Sequence, residues 1–347
     1  MRADADLRPA HGTGHLWAER LRGLPAVRGK EPRGLSIEPT TTEPNSEWSD
    51  THFGAEAALV RFARSVVPRL PWATLYALGD LAGAALYHAA GGRRQVAMHN
   101  LAVALGDRFT PSQRQVLARR SCQHLLKTLL EFVRLPELTA DELRARVPLV
   151  GAEHLSAGLA AGRGLILVTP HLGNWEYMAA RVALEGFPLS VIGRDSANPA
   201  VAREVTTLRR SGGVEVLSKA RSLRQALNAL QENRILGILP DQHAGVSGMP
   251  LEFFGRRTPM HPIPALLARR TGASLLAGCA TRNAKNELCA VIGPPLRVSR
   301  TADRKTDVAV GMRELVDAME RQIRRHPDQW LWMHKRFRDS DESLAAR

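Results

Sequence analysis

Short apolar runs that alternate with helical stretches fill the second half of this chain. The runs lie at 165–169, 189–192, 214–217 and 235–239, and the helical stretches between them lie at 174–186, 199–211 and 219–232. Two later runs, 274–280 and 288–292, also resemble strands, and 305–325 resembles a helix. Strands that alternate with helices are typical of a sheet covered by helices on both faces. We therefore predict an α/β fold.

The charge of the chain narrows the classes of partner. The 347 residues include 48 Lys and Arg against 34 Asp and Glu, for a formal net charge of +14. Such an excess indicates a polyanionic partner, which is nucleic acid, an anionic membrane leaflet or a phosphorylated substrate. Three cysteines without a C-x-x-C pair exclude a secreted scaffold held by disulfides.

An apolar segment at residues 72–90 precedes the α/β pattern. It reads WATLYALGDLAGAALYHAA, contains one formal charge at Asp80, and is flanked by Arg69 and by Arg93 and Arg94. As a helix it is just long enough to cross the ~30 Å hydrocarbon core of a bilayer, and Asp80 weakens that alternative. A buried or interfacial helix is the other alternative. Either one puts apolar surface beside basic residues, which fits a cytoplasmic membrane face.

The chain is predicted to have five segments. Residues 1–50 lack a sustained apolar period and are predicted to be a disordered extension. A membrane-associated helical segment at 51–92 and a helical lead-in at 93–150 follow, and Thr110 and Gln113 form a capping box within the lead-in. The α/β domain occupies 151–338, and a tail occupies 339–347.

The most informative motif is TPHLGNWE, from Thr169 to Glu176. It lies where a predicted strand ends and a helix begins, at the edge of an α/β sheet where sites collect. Asn174 is the predicted N-cap of that helix, which puts Glu176 in the first turn within reach of His171. A histidine oriented by a carboxylate fits a general base. The chain contains no phosphate-binding loop, dinucleotide fingerprint, nucleophile elbow or metal-ligand motif.

This motif, HLGNWE, resembles the signature of the bacterial lipid A late acyltransferases, the lauroyl and myristoyl transferase family. Five further segments resemble the same family in the same order: RRQVAMHNL at 93–101, IGR at 192–194, LPDQ at 239–242, FFG at 253–255 and PDQWLWMHKR at 327–336. The resemblance covers roughly residues 55–338. The long N-terminal extension and His261 depart from the family pattern.

The resemblance implies a fold and a reaction. The fold would be a glycerol-phosphate-acyltransferase-like mixed sheet flanked by helices. The reaction would move an acyl chain from acyl carrier protein or coenzyme A to a hydroxyl of a phosphorylated glycolipid, a lipid A precursor, without a cofactor or a metal. The protein would lie at the cytoplasmic face of the inner membrane.

The resemblance also implies roles for the matched residues. His171 would be the general base and Glu176 would orient it. Arg194 would bind phosphate, and Asp241, Gln242 and Asn174 would be substrate-binding residues.

Two alternatives to this function stay open at this point. One is acylation of another polar lipid, such as a mannosylated phosphoinositide, and the other is a non-catalytic basic protein that binds membranes. Trp330 and Trp332 are expected to be core residues, with an interfacial aromatic anchor as the alternative. The basic charge fits a phosphorylated lipid and an acidic carrier protein, so nucleic acid is not expected as a partner.

Overall fold

The computed structural model describes residues 50–192, 198–217, 222–245, 248–296 and 298–337. The predicted extension up to residue 49 and the predicted tail lie outside these residues, as does Arg194. The helices are α1 (Asp50–Val66), α2 (Trp72–Ala89), α3 (Gly91–Leu105), α4 (Pro111–Arg134), α5 (Ala140–Arg146), α6 (Ala152–Leu159), α7 (Trp175–Leu184), α8 (Pro199–Ser211), α9 (Ser222–Gln231), α10 (Ile263–Thr271) and α11 (Arg304–Arg325). The strands are β1 (Leu149–Val150), β2 (Leu165–Val168), β3 (Leu189–Ile192), β4 (Glu215–Leu217), β5 (Ile235–Ile238), β6 (Met249–Phe253), β7 (Arg256–Met260), β8 (Ser274–Arg282) and β9 (Leu288–Ile292).

Within the described residues, seven strands form one mixed sheet in the order β1-β9-β8-β2-β5-β3-β4. Neighbouring strands run parallel except β8 and β9, which are antiparallel. The predicted α/β class is therefore confirmed, and the strands and helices predicted beyond residue 160 each appear. β1 was not predicted, and it shows that the sheet begins two residues before the predicted start of the α/β domain.

The central strands are buried on both faces, which explains why they read as continuous apolar runs. In β2, Ile166 and Val168 join one apolar cluster, whereas Leu165 and Leu167 join the other. Alternate side chains of a strand point to opposite faces, so these two clusters lie on the two sides of the sheet.

The FFG segment forms the turn of a separate hairpin, β6–β7. Phe253 pairs with Arg256, and the two residues between them, Phe254 and Gly255, have φ angles of 52° and 71°. Two successive positive φ angles are typical of a tight two-residue hairpin turn. This hairpin was not among the predicted strands.

α2 packs closely against α4 within the helical lead-in. A Cβ atom added at Gly83 would lie 2.3 Å from the Cα of Gln123, so the two helices touch backbone to backbone. Asp80 pairs with Lys127, whose Nζ lies 2.9 Å from Oδ2. The single charge of the apolar segment is thus satisfied by a protein partner. None of the described helices has both the length and the apolar character needed to cross a bilayer.

The N-terminus of α4 carries the predicted capping box. Thr110 Oγ1 accepts the backbone N–H of Gln113 at 3.3 Å, and Gln113 Oε1 accepts the backbone N–H of Thr110 at 2.8 Å. The side chains thereby satisfy donors that the first turn of a helix leaves unpaired.

Candidate active site

The candidate site lies at the carboxyl ends of β2 and β5. These strands are parallel neighbours, with Val168 opposite Ile238. Each strand is followed by one residue and a proline, and then by His171 after β2 and Asp241 after β5. Equal offsets from one pair of opposed residues bring the two side chains together at the edge of the sheet, although they are 70 residues apart in the chain.

Asp241 holds His171 with both of its carboxylate oxygens. Oδ1 lies 2.7 Å from His171 Nδ1, and Oδ2 accepts the backbone N–H of His171 at 2.8 Å. A carboxylate at Nδ1 favours the tautomer with the proton on that nitrogen, which leaves the lone pair of Nε2 available to accept a proton. The Asp241 side chain is 2% exposed and the His171 side chain 18% exposed. The carboxylate is therefore buried, whereas part of the imidazole is accessible from outside.

The Asp241 carboxyl is held in its charged form. Burial by itself raises its pKa, but the attraction of His171 and the hydrogen bonds from His171 and from the Trp330 indole outweigh burial, and the pKa lies below its usual value. A carboxylate that stays charged stabilises the imidazolium that forms when a histidine takes up a proton.

Glu176 does not orient His171, contrary to the prediction. Its carboxylate is bound by Arg209, with Nη2 2.7 Å from Oε1 and Nε 3.0 Å from Oε2, and by the indole N–H of Trp175 at 3.1 Å. The first turn of α7 directs this side chain toward the end of α8 instead of the ends of β2 and β5. The Trp175 ring contacts the His171 ring edge to face, with 5.1 Å between centroids, so Glu176 reaches the site through Trp175.

Asn174 is the N-cap of α7, as predicted, and its side chain is fully buried. Its Oδ1 accepts the backbone N–H of Tyr177 at 2.8 Å, and its Nδ2 donates to Glu131 at 2.8 Å. Glu131 also forms a bidentate ion pair with Arg282, and both of these side chains are 0% exposed. Because the Asn174 amide is enclosed in this network, the geometry opposes its predicted role in binding substrate.

The other predicted site residues fall in different places. Gln242 brings its amide nitrogen to 3.5 Å from His171 Nε2, so it lies beside the ring nitrogen that does not contact Asp241. Arg194 lies outside the described residues. In the described part of the chain, no group of three or more His, Cys, Asp or Glu side chains is arranged to hold a metal ion.

The C-terminal residues 327–337, here called the strap, cross the ends of both strands. The backbone N–H of Leu331 donates to the carbonyl of His171 at 3.1 Å, and the indole N–H of Trp330 donates to Asp241 Oδ2 at 2.8 Å. Trp330 and Trp332 are both buried, which confirms the core prediction over the interfacial anchor.

Sequence reasoning missed the contact between Trp330 and Asp241. A signal for it exists, since a buried indole N–H almost always needs a hydrogen-bond partner. The matched segment at 93–101 also serves the strap, because Asn100 Nδ2 donates to the carbonyls of Trp332 and His334 at 2.7 and 2.6 Å.

The fold and this site define the class of protein: a mixed α/β protein with a histidine and a carboxylate joined at the carboxyl edge of its sheet. The chain belongs to the bacterial lipid A biosynthesis acyltransferase family, whose family model matches residues 52–339. Its relatives are named acyltransferases, so an acyltransferase is the kind of enzyme that this membership supports.

Two relatives illustrate the range of the family. The phosphatidylinositol mannoside acyltransferase of Mycolicibacterium smegmatis is 30% identical over 163 residues, which are 46% of this chain and 54% of the relative. The lipid A biosynthesis lauroyltransferase of Escherichia coli is 23% identical over 286 residues, which are 81% of this chain and 91% of the relative. This chain thus spans about half of the first relative's length and most of the second's.

The structure also matches that of a solved acyltransferase. It is the 1-acyl-sn-glycerophosphate acyltransferase PlsC from Thermotoga maritima, at 14% identity and a TM-score of 0.32, covering 70% of this chain and 94% of PlsC. A superposition this loose does not establish a shared fold.

Proposed function

We propose that this protein is an O-acyltransferase that moves a fatty acyl chain from an acyl thioester to a hydroxyl group of a membrane glycolipid, with His171 as general base. The observation that carries this proposal is the 2.7 Å contact between His171 Nδ1 and Asp241 Oδ1 at the sheet edge. The first candidate for the acceptor is a lipid A precursor, and the donor is acyl carrier protein or coenzyme A.

The reaction follows from the orientation of the imidazole. With Nδ1–H directed at Asp241, the Nε2 atom of His171 takes the proton of the acceptor hydroxyl as its oxygen attacks the thioester carbonyl. Asp241 stabilises the imidazolium that forms. The tetrahedral intermediate collapses with cleavage of the C–S bond, and the leaving thiolate receives the proton from His171. An ester and a free thiol result, and the activated thioester requires neither a cofactor nor a metal.

A small depression beside Trp175, about 50 Å³ in volume and lined also by Glu176 and Arg209, is assigned to the first carbons of the acyl chain. Trp175 forms one side of it, together with apolar residues of β2 and β3 and the residue that follows β5: Leu167, Val191, Ile192 and Leu239. Because Trp175 also contacts His171, a chain lying there would bring its thioester close to the imidazole. We further propose that the sheet and its helices have the glycerol-phosphate-acyltransferase-like arrangement that the sequence motifs imply.

Two polar residues, Gln242 and Arg194, are assigned to polar groups of the substrates. Gln242 lies beside His171 Nε2 and is positioned to contact the acceptor hydroxyl or the thioester oxygen. Arg194 follows β3, whose carboxyl end lies on the same edge of the sheet as those of β2 and β5. We assign it to a phosphate of the acceptor or of the donor's phosphopantetheine.

A mannosylated phosphoinositide is a second candidate acceptor. A specific observation favours it, since the mycobacterial phosphatidylinositol mannoside acyltransferase is more similar to this chain, at 30% identity, than the lipid A lauroyltransferase, at 23%. The lipid A enzyme in turn matches over more of the chain. Both acceptors are anionic glycolipids, which fits the basic charge of this protein.

Attachment to the cytoplasmic face of the inner membrane is part of this proposal. Within α2, all of which the structure describes, Leu81 is 71% and Leu78 40% exposed, and the side chain of Asp80, its only Asp, Glu, Lys or Arg, is 45% exposed and paired with Lys127. Exposed Arg69 precedes this helix, and exposed Arg93 follows it. An apolar helical stripe whose single carboxylate is paired with Lys127, and which lies between basic residues, suits an interfacial position on an anionic leaflet. We therefore propose residues 51–92 as the membrane-associated segment.

The test is an acyl-transfer assay with the purified full-length protein in lipid micelles. A lipid A precursor and a phosphatidylinositol mannoside are each offered with lauroyl donors on acyl carrier protein and on coenzyme A. Transfer to one acceptor is expected, and His171→Ala should abolish it while folding and vesicle binding are retained. Undiminished turnover by His171→Ala would overturn the proposal.

Two further measurements separate the remaining assignments. Arg194→Ala should raise the KM for a phosphorylated substrate, and unchanged KM values would remove its phosphate-binding role. Salt-dependent binding to duplex DNA together with no transfer to either acceptor would indicate a binding protein instead of this enzyme.

A further inference from the structure

The Trp330 indole is the third group that contacts the carboxylate of Asp241. Oδ2 accepts two hydrogen bonds at 2.8 Å each, from the backbone N–H of His171 and from the indole N–H of Trp330. Oδ1 is left to face the imidazole at 2.7 Å. The Asp241 side chain is nearly fully buried, so water does not replace a donor that is lost.

We propose that Trp330 is a positioning residue that fixes the plane of the Asp241 carboxylate and thereby the direction of His171. This inference rests on the proposed function. The terminal torsion of an aspartate is broad. The other two contacts of this carboxylate both come from His171, so without Trp330 the carboxylate and the imidazole can turn together. A second donor from another element defines the plane, and it directs Oδ1 at Nδ1.

The Trp330 side chain is itself held rigidly enough for this role. Trp330 forms a β-bridge with Leu172, the residue directly after His171. The backbone carbonyl of Trp330 accepts a hydrogen bond from the Ser121 hydroxyl at 2.6 Å. The Trp330 ring packs edge to face against Trp332, with 4.6 Å between centroids, and against Phe253, with 5.7 Å. The strap therefore places the indole N–H by contacts on several sides.

Trp332 provides a matched control within the same cluster. It is also a buried tryptophan of the strap, but its indole N–H donates to the carbonyl of Pro327 at 2.6 Å. Trp330→Phe and Trp332→Phe remove the same atoms from neighbouring sites, and one of them removes a donor to Asp241. Loss of packing affects both variants, whereas loss of orientation affects Trp330→Phe alone.

The pH profile separates a positioning role from a structural one. The titratable and charged groups near Asp241 are His171 at its carboxylate, His243 two residues further on, His334, which accepts the His243 backbone N–H, and Arg336, whose charge acts on Asp241. Burial raises the pKa of Asp241, and its partners, with Trp330 among them, lower it. The acid limb of kcat/KM reports proton uptake by the His171–Asp241 pair as a unit. A carboxylate that has lost a hydrogen bond holds the added proton on the pair more tightly, so loss of the indole donor moves this limb to higher pH.

The experiment measures kcat, KM, the pH profile and the melting temperature of the full-length protein with Trp330→Phe and with Trp332→Phe. Trp330→Phe should lower kcat by roughly tenfold to a hundredfold with little change in KM, as expected for a lost hydrogen bond to a buried charge. It should also shift the acid limb upward. Trp332→Phe should lower the melting temperature comparably and leave the acid limb in place.

A second variant removes the dependence on packing. A benzothienyl alanine at position 330 keeps the shape of tryptophan and lacks the N–H, so it should reproduce the effects of Trp330→Phe on kcat and on the acid limb. Wild-type kcat and acid limb with this residue would overturn the inference. If His171→Ala is inactive at the same time, the proposed function survives and the role of Trp330 alone is lost.

Discussion

His171 and Asp241 occupy equivalent positions just after two neighbouring parallel strands. His171 lies three residues beyond Val168 and Asp241 three residues beyond Ile238, and Val168 and Ile238 are opposite each other in the sheet. Their contact is therefore a consequence of the register between β2 and β5. A shift of that register by one residue would also turn the side chains of β2 to the opposite faces of the sheet. The buried apolar residues that hold the sheet together thus also hold His171 and Asp241 together.

Asp241 and Glu176 are distinguished by two amide variants. Asp241→Asn should lower kcat by about 10³- to 10⁴-fold, because an amide disfavours the tautomer with the proton on Nδ1 and does not stabilise the imidazolium. Glu176→Gln should cost less than about tenfold, since a glutamine still accepts a hydrogen bond from Trp175. Steady-state acyl transfer measures both. A larger loss in Glu176→Gln would mean that the working carboxylate is Glu176.

The ion pair between Glu131 and Arg282 should be important for stability. Both side chains are 0% exposed, so Glu131→Gln leaves a buried guanidinium without its counter-charge and should lower the free energy of unfolding by about 3–5 kcal/mol. Chemical denaturation measures the change. Asp141→Asn is the control. The Asp141 side chain pairs with Arg144 but is 94% exposed, so this substitution should leave stability nearly unchanged. Equal effects would contradict the buried-pair argument.

The contact between α2 and α4 should not tolerate a side chain at Gly83. Gly83→Ala would place a methyl group 2.3 Å from the Gln123 Cα, which cannot rotate away, so the helices must separate at a cost of roughly 1–3 kcal/mol. Gly91→Ala is the control, because an added Cβ there meets no atom within 4 Å. Thermal unfolding should show a lower melting temperature for Gly83→Ala alone. Identical melting temperatures would contradict the close packing.

If α2 attaches the protein to the membrane, acidic residues at its exposed leucines, Leu78 and Leu81, should weaken vesicle binding. The double variant Leu78→Glu with Leu81→Glu should weaken sedimentation with phosphatidylglycerol vesicles by roughly tenfold or more, because each substitution removes apolar surface and adds a like charge at an anionic surface. Val310→Glu on α11, at a residue 48% exposed, is the control and should bind like the wild type. Unchanged binding by the double variant would show that another surface contacts the membrane.

The sequence by itself determined the alternation of strands and helices between residues 165 and 239, the capping box at Thr110 and the two strand ends that carry His171 and Asp241. These features depend on local periodicity and on turn residues, which are read along the chain. The hairpin β6–β7 was missed because Pro250 and Pro259 interrupt its strands, and proline within a run argues against a strand.

The tertiary structure alone decided which carboxylate serves the histidine. Glu176 is five residues from His171 in the chain, but the direction of α7 carries it to Arg209. Asp241 is 70 residues away, and the register between two strands brings it within 2.7 Å. The indole of Trp330 arrives from a still more distant segment. Local preferences specify each element, whereas contacts between the ends of elements depend on long-range pairing and packing, which a single sequence does not reveal.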